Sequence, residues 1–141
     1  MKVLIPVDDS EAARHACELA TRVAQDAGSI EVILLNVRSG PEYRGELSPM
    51  DYQSLDRVQR EAQQRLLAAA LEHAQRIGLK QVSIEGAQGQ AADEIVRVAK
   101  ARGVDQILMG THGRGAVASF FLGSVAQRVV HFAPMPVTLV K

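Results

Sequence analysis

Short apolar runs alternate with amphipathic stretches along this chain. The first run, Val3–Val7, ends at a pair of aspartates, which predicts a strand that is buried on both faces and finishes near Asp8. In the next stretch Ser10 offers a helix cap and Gly28 a helix stop. Between them, small apolar residues at spacings of three and four predict one buried helix face, made of Ala13, Ala16, Cys17, Ala20, Val23, Ala24 and Ala27.

The same alternation continues to the end of the sequence. Further strands are predicted over Ile30–Val37, Gln81–Gly86, Val104–Met109 and Val137–Val140. A long second helix is predicted to end at Gly78, with the apolar face Leu55, Val58, Ala62, Leu66, Ala69, His73 and Ile77. Shorter helices are predicted before Gly103 and before Pro134. Strands that alternate with helices in this way predict a parallel sheet with helices on both faces, because right-handed crossovers cover both sides.

A polar segment, Arg38–Ser54, interrupts this alternation. It contains two glycines and two prolines and is longer than the usual connection between a strand and a helix. We expect a loop over the whole segment. The loop leaves the carboxyl end of the second strand, which is the side of an open α/β sheet where ligands bind.

Composition narrows the class of protein. With 141 residues, 47% of them hydrophobic and 23% charged, the chain has the size and apolar content of one globular domain, which we place at residues 1–141. Sixteen basic residues balance sixteen acidic ones, and aromatic residues make up only 4%. These values argue against a nucleic-acid partner, which would favour a basic surface and stacking side chains.

The number of cysteines and the lengths of the apolar runs indicate the cellular compartment to be expected. The single cysteine, Cys17, argues against an internal disulfide and against a cysteine-rich metal site. The opening residues MKVLIPVDDS become charged too early for a signal peptide. No apolar run approaches the roughly 20 residues of a membrane span. We therefore expect a cytoplasmic protein without a membrane partner.

The glycine-rich stretch Gly110–Ser124, GTHGRGAVASFFLGS, is the main candidate for ligand chemistry. It is not a P-loop, because that motif needs a lysine and none lies between Lys100 and Lys141. Gly113–Ala118 matches the dinucleotide pattern G-x-G-x-x-[GA], but it follows the fourth strand, and no acidic residue comes after Asp105 to hold a ribose. A nucleophile elbow is absent, and the histidines are too scattered to form a metal site.

The positions of the glycines favour an anion site. Gly110 and Gly113 follow a buried strand, where missing side chains let backbone N–H groups approach an anion. Gly123 and Ser124 open a helix whose N-terminus attracts negative charge. Together they predict a cradle for a polyphosphate, to which Arg114 adds a mobile positive charge. The alternative is that these glycines serve only turns and a helix cap.

The same residues resemble a known motif. Gly110-x-x-Gly113, the nine residues Arg114–Leu122, and then Gly123-Ser124 are similar to the G-x2-G-x9-G-[ST] motif of the nucleotide-binding branch of the universal stress protein family. The resemblance covers nearly the whole chain. It includes the opening strand in Lys2–Ser10, the second strand in Ile33–Val37, the fourth strand with its loop in Val104–Arg114, and the ending Pro136–Val140.

The resemblance implies a fold and a set of binding residues. The implied fold is an open, Rossmann-like sheet of five parallel strands in the order 3-2-1-4-5, of the adenine nucleotide alpha hydrolase-like type. Asp8 is implied to line the adenine and ribose end, and the backbone of Val37 to meet the adenine edge. The implied nucleotide-binding residues are Pro6, Val7, Asp8, Val37, Met109, Gly110, His112, Gly113, Arg114, Gly123, Ser124 and Val125. Some relatives carry a hydroxyl residue at the position of Ala126, and its absence here is expected to weaken phosphate binding.

The resemblance also implies a function. We expect a nucleotide-dependent regulatory module of the stress response that binds ATP, or ADP or AMP, with Mg²⁺ held mostly by phosphates and water. No catalytic residue is predicted, so an enzyme is the less favoured class. Slow ATP hydrolysis, phosphoryl transfer and a vestigial nucleotide site remain alternatives. A homodimer is expected through the last strand, Val137, Thr138, Leu139 and Val140, unless the neighbouring prolines blunt that edge and leave a monomer.

Overall fold

Strands and helices alternate along the parts of the chain that the computed structural model describes, residues 1–40, 48–112 and 122–141. The elements are β1 Lys2–Pro6, α1 Glu11–Ala27, β2 Glu31–Arg38, α2 Pro49–Arg76, β3 Gln81–Gln88, α3 Ala91–Ala101, β4 Gln106–Gly110, α4 Ser124–Phe132 and β5 Val137–Val140. All strand pairs are parallel, and the sheet has the order β3-β2-β1-β4-β5. The predicted sheet and the implied strand order are confirmed.

The central strand β1 pairs unequally with its two neighbours. It pairs with β2 from Lys2 to Pro6 but with β4 only at Val3 and Leu4, so β1 and β4 part beyond Leu4 and open a crevice. Successive backbone amides point to opposite sides of a strand, and the Val7 N–H donates to a β2 carbonyl at 2.8 Å. The missing N–H of Pro6 therefore falls on the β4 side, where the ladder has already ended. This placement explains how a proline is tolerated in a central strand.

Two apolar cores lie on the two faces of the sheet. The core under α1 and α2 contains Val3, Ile5, Val7, Ala13, Ala16, Cys17, Ala20, Val32, Leu34, Leu67, Ala74 and Leu108. The core under α3 and α4 contains Leu4, Ile33, Leu35, Ala92, Ile95, Val98, Ala99, Ile107, Met109, Ala126 and Val129. Alternate residues of β1 and β2 belong to opposite cores, as the period of a doubly covered strand requires. Helices on both faces are therefore confirmed.

The start and end of α1 follow the predicted signals. Ser10 is the N-cap, and its side chain accepts a hydrogen bond from the Ala13 N–H at 3.2 Å. Gly28 ends the helix with φ of 90°, a backbone conformation that favours glycine. Four of the predicted small residues, Ala13, Ala16, Cys17 and Ala20, are buried against the sheet.

The expected loop over Arg38–Ser54 is wrong in its second half. α2 begins at Pro49, and Ser48 caps it by accepting a hydrogen bond from the Asp51 N–H at 3.2 Å. Proline in the first turn suits a helix start because its missing N–H would have no partner there. Residues 41–47 of the expected loop lie outside the described parts of the chain. None of the described helices is both long and apolar enough to span a membrane.

The predicted apolar face of α2 is also wrong, because its residues are exposed or only partly buried. Leu55 and Val58 are 43% and 56% exposed, whereas Gln63 is only 8% exposed. Leu67 and Ala74 are the other buried residues of this helix. A glutamine is tolerated at this buried position because its amide donates to carbonyl groups of β2 and β3. Apolar periodicity alone favoured a face that begins at Leu55, since nothing in the local sequence marks Gln63 as buried.

Candidate functional site

A cavity of about 390 Å³ opens where the carboxyl ends of β1 and β4 separate. Its volume is in the range of roughly 300–1,000 Å³ that is common for small-molecule sites. Every sequence-predicted site residue that the structure describes lines it: Pro6, Val7, Asp8, Val37, Met109, Gly110, His112, Gly123, Ser124 and Val125. The other two, Gly113 and Arg114, lie outside the described residues. Residues separated by about a hundred positions thus meet at the switch point of the winding, which is where open α/β sheets bind ligands.

The first wall of the cavity is the turn from β1 into α1. Asp8 Oδ1 accepts a hydrogen bond from the Ser10 N–H at 3.1 Å, and Asp9 adopts a left-handed conformation with φ of 68°. Such a φ is uncommon for a residue other than glycine and costs free energy, so the turn is held by its surroundings. Asp8 therefore shapes the turn and also lines the cavity.

Gly110 and Gly123 each make a close contact that leaves little room for a side chain and that the sequence did not predict. A Cβ atom on Gly110 would lie 2.5 Å from the Cβ atom of Ala12, so glycine lets the end of β4 pack closely on α1. The Gly123 N–H donates to the Thr111 carbonyl at 2.8 Å, and a Cβ atom on Gly123 would lie 3.0 Å from that oxygen. These contacts bring the start of α4 beside the end of β4. They also mean that the Gly123 N–H already has a protein acceptor.

The N-terminus of α4 faces the cavity with its backbone donors. Gly123 is the N-cap and has no side-chain oxygen to accept a hydrogen bond, and the first turn contains no acidic residue. The first intrahelical bond of this turn runs from the Gln127 N–H to the Gly123 carbonyl at 2.9 Å. The N–H groups of Ser124, Val125 and Ala126 therefore have no acceptor within the helix, and all three residues line the cavity. The helix dipole adds partial positive charge at this end.

Two lining residues with functional side chains were missed by the sequence analysis. Asn36 donates from Nδ2 to the Val7 carbonyl at 2.7 Å, and Thr111 lies beside His112 with Oγ1 3.0 Å from Nδ1. A polar residue inside the apolar run Ile33–Val37 was the available signal for Asn36. Nothing comparable marked Thr111. Among the described residues, no group of three histidine, cysteine or acidic side chains is arranged to hold a metal ion.

Comparison with known proteins identifies the family. The sequence pattern of the universal stress protein family matches residues 1–141. The chain belongs to this family. A universal stress protein of Thermus aquaticus, located in the QAH/OAS sulfhydrylase 3′ region, is 37% identical over 142 residues, which cover 99% of this chain and 97% of the relative. The universal stress protein MJ0531 of Methanocaldococcus jannaschii is 32% identical, over 99% of this chain and 81% of the relative.

Solved structures share the fold. The structure of MJ0577, a universal stress protein of Methanocaldococcus jannaschii, superposes with a TM-score of 0.79 at 30% identity, covering 99% of this chain and 94% of that one. An Archaeoglobus fulgidus universal stress protein in complex with dAMP has a TM-score of 0.71 at 23% identity, with 100% and 98% coverage. An Arabidopsis thaliana family protein with AMP bound has a TM-score of 0.72 at 20% identity, with 100% and 91% coverage.

Proposed function

We propose that this universal stress protein binds an adenine nucleotide in the cavity between β1 and β4. The observation that carries the proposal is the N-terminus of α4, which presents uncapped backbone donors and no acidic side chain to a cavity of ligand size. Two proteins of the same fold have AMP or dAMP bound. ATP is the proposed physiological ligand, with ADP and AMP as alternatives.

The proposed pose has the phosphates at α4 and the base at β2. Ser124 and Val125 would donate their N–H groups to phosphate oxygens, because the dipole and the donors favour an anion there. Asp8 would accept hydrogen bonds from ribose hydroxyls, since a carboxylate beside the phosphates would instead repel them. Pro6, Val7, Met109, Gly110 and His112 would form the walls, and Gly123 would hold α4 in place through Thr111.

Two predicted contacts depend on residues outside the described parts of the chain. Gly113 and Arg114 are proposed to complete the phosphate cradle, on the strength of the motif alone. Mg²⁺ is proposed to accompany ATP and to be held mainly by phosphate oxygens and water, the coordination that this ion commonly adopts with nucleotides. The ion would neutralise charge on the phosphates and so strengthen binding at α4.

Binding without catalysis is the proposed mode of action. Phosphoryl transfer to water needs a group that orients the attacking water near the last phosphate. In the proposed pose Asp8 lies at the ribose end, far from that position along the nucleotide. We propose that occupancy of the site regulates the stress response by changing the protein's surface.

The decisive experiment identifies the ligand and its fate. Mass spectrometry of small molecules released from freshly purified protein should detect an adenine nucleotide, and calorimetry with Mg²⁺ should show binding of ATP, ADP or AMP. Absence of binding for all three would contradict the proposal and favour a vestigial site. Phosphate release over many turnovers, abolished by Gly113→Val, would favour an ATPase instead.

The protein is further proposed to be a cytoplasmic homodimer that pairs through β5. This strand bonds to β4 on one side, with Ile107 opposite Val137 and Gly110 opposite Val140, and Leu139 is 37% exposed. A short apolar edge of this kind is relieved by pairing with its copy across a two-fold axis. Light scattering over micromolar concentrations should give the mass of a dimer, and a constant monomer mass would contradict the interface.

A further inference from the structure

The hydrogen-bond ladder between β1 and β2 ends at the cavity with a side chain in place of a backbone donor. It continues past Pro6 through the Val7 N–H, which donates to the Leu35 carbonyl at 2.8 Å. In a parallel ladder the next bond would run from the Val37 N–H to the Val7 carbonyl. That bond is absent between these described residues, and the Val7 carbonyl accepts from Asn36 Nδ2 at 2.7 Å instead.

Because the Asn36 side chain takes the Val7 carbonyl, the backbone of Val37 faces the cavity without a partner on β1. Residues of β2 with odd numbers direct their N–H and C=O groups towards β1, as the bonds of Glu31 to Met1 and of Leu35 to Val7 demonstrate. Val37 follows in the same series and lines the cavity. Its donor and acceptor therefore lie side by side at the point where β1 has ended.

A buried glutamine from α2 holds Asn36 in this orientation. Gln63 Nε2 lies 2.8 Å from the Asn36 carbonyl, 3.0 Å from the Ala87 carbonyl and 3.1 Å from Asn36 Oδ1. Because both carbonyls are acceptors, this atom of Gln63 must be the amide nitrogen, and it must therefore face the oxygen of the Asn36 amide. The NH₂ group of Asn36 is left to point at Val7. Gln63 is 8% exposed, so water cannot easily replace it.

We propose that Asn36 determines base specificity by occupying the Val7 carbonyl and keeping the Val37 backbone open to a base, with Gln63 as the positioning residue that orients it. This inference rests on the proposed nucleotide function and assigns the control of its base recognition. Adenine carries a donor on its exocyclic nitrogen beside an acceptor at N1, which matches the C=O and N–H of one residue. Guanine in the same pose presents the reversed pattern and would face unpaired groups of like kind.

The first test separates base recognition from phosphate binding. Asn36→Leu keeps the side-chain volume but removes the donor, so the Val37 N–H is free to close the ladder onto Val7. Calorimetry should show AMP affinity falling about tenfold and the preference for AMP over GMP falling towards one. The gain in affinity from AMP to ATP should be unchanged, because the phosphates lie at α4.

A matched pair of α2 variants tests the positioning role. Gln63→Met removes the amide that orients Asn36 and is expected to lower the AMP preference about three- to tenfold. Gln64→Met makes the same substitution at the next, exposed position and should leave both affinity and preference unchanged. The pair also keeps the proposal testable if Asn36→Leu folds poorly, since circular dichroism and urea unfolding identify the folded variants.

The second test needs no ligand. In the unliganded wild type the Val37 amide should exchange with solvent rapidly, because it has no backbone acceptor among the described residues, whereas the Leu35 amide within the ladder should be protected. In Asn36→Leu the Val37 amide should become protected by about tenfold or more. Unchanged exchange in the variant would overturn the inference.

The outcomes separate this inference from the proposed function. Wild type that binds AMP, with variants that keep the full preference for AMP over GMP, would overturn the inference and leave nucleotide binding intact. An equal loss of the base and phosphate contributions would also overturn it, because it would indicate general damage to the cavity. Wild type that binds no adenine nucleotide would refute the proposed function and, with it, the specificity assigned to Asn36.

Discussion

Of the helix N-termini that line the cavity, those of α1 and α4 are built in opposite ways. α1 supplies its own acceptors: Ser10 caps the Ala13 N–H, Asp8 accepts from the Ser10 N–H, and Glu11 adds negative charge in the first turn. α4 has Gly123 as its N-cap, which offers no side-chain oxygen, and its first turn contains no acidic residue. The two helices follow β1 and β4, which are neighbours in the sheet. The difference between their N-termini therefore comes from the residues at each helix start.

The comparison indicates which end of the cavity would accept the anion of the proposed ligand. An N-terminus with capped donors and nearby carboxylates has little left to offer a phosphate, whereas an uncapped one gains free energy when an anion satisfies it. The cavity therefore has a negative end at α1, suited to hydroxyl groups, and a positive end at α4, suited to phosphates. A nucleotide has the matching polarity along its length.

The largest expected effect comes from making α4 resemble α1. Ser124→Asp places a carboxylate at the open N-terminus, where it competes with the phosphates. We expect ATP affinity to fall about a hundredfold, equivalent to about 2.7 kcal/mol, while the free energy of unfolding rises by about 0.3 to 1 kcal/mol. Val130→Asp adds the same charge at a 47% exposed position of the same helix and should change affinity little. Equal losses in the two variants would contradict the assignment of the phosphate end.

The next effect tests how firmly α1 is docked against β4. Gly110→Ala would place a methyl group 2.5 Å from the Cβ atom of Ala12. Urea unfolding should show a loss of about 1 to 3 kcal/mol, as is usual for overpacked sites. Adding Ala12→Gly removes the clash and should recover part of that loss, apart from the cost of a glycine in a helix. A single variant as stable as wild type would refute the tight contact.

A smaller effect should separate Ser10, the N-cap of α1, from Ser124, the first residue of α4. Ser10→Ala is expected to lower the free energy of unfolding by about 1 kcal/mol, because Ser10 caps α1, and to change nucleotide affinity less than about twofold. Ser124→Ala should do the reverse, with stability within about 0.5 kcal/mol of wild type and affinity reduced several-fold. Calorimetry and urea unfolding on both variants measure the pair. Loss of affinity in Ser10→Ala alone would reverse the comparison.

The smallest expected effect concerns Cys17, whose rate of labelling by a thiol reagent should not change when nucleotide binds. Cys17 is buried under α1, and burial together with the charge of Glu18 raises the pKa of its thiol to about 11. Few thiolates exist at pH 8, so a disulfide reagent should label the folded protein slowly, whether or not nucleotide is present. In urea the same thiol should react quickly. Labelling that accelerates with nucleotide would indicate that α1 moves on binding and would contradict this expectation.

Most of the fold was predictable because local signals agreed with one another. Ser10 and Gly28 delimit α1 by capping chemistry, and β5 coincides with the predicted Val137–Val140. α2 was the exception, since Ser48 and Pro49 form a capping signal inside a segment that also carries glycines. Its buried face was misjudged because Gln63 is selected by carbonyl groups of β2 and β3, which are distant in the sequence.

The sequence predicted which residues line the candidate site better than it predicted the contacts that place them there. The described residues that the motif marked do line one cavity. Gly110 and Gly123, however, are explained by contacts with Ala12 and Thr111. The sequence did not predict that the Gly123 N–H donates to the Thr111 carbonyl. A spacing pattern records where small residues occur, but it does not record which neighbour requires them.

The sequence alone determined the alternation of strands and helices, the helix caps and the family motif, because these depend on residues that are close along the chain. The tertiary structure decided which groups meet across the chain: the early separation of β1 from β4, the turn of Asn36 towards the Val7 carbonyl, and the burial of Gln63. Such pairings depend on strand register and on the distance between helix and sheet. Both arise only when the whole core has packed. The contrast between the N-termini of α1 and α4 matters for binding because the fold places both at one cavity.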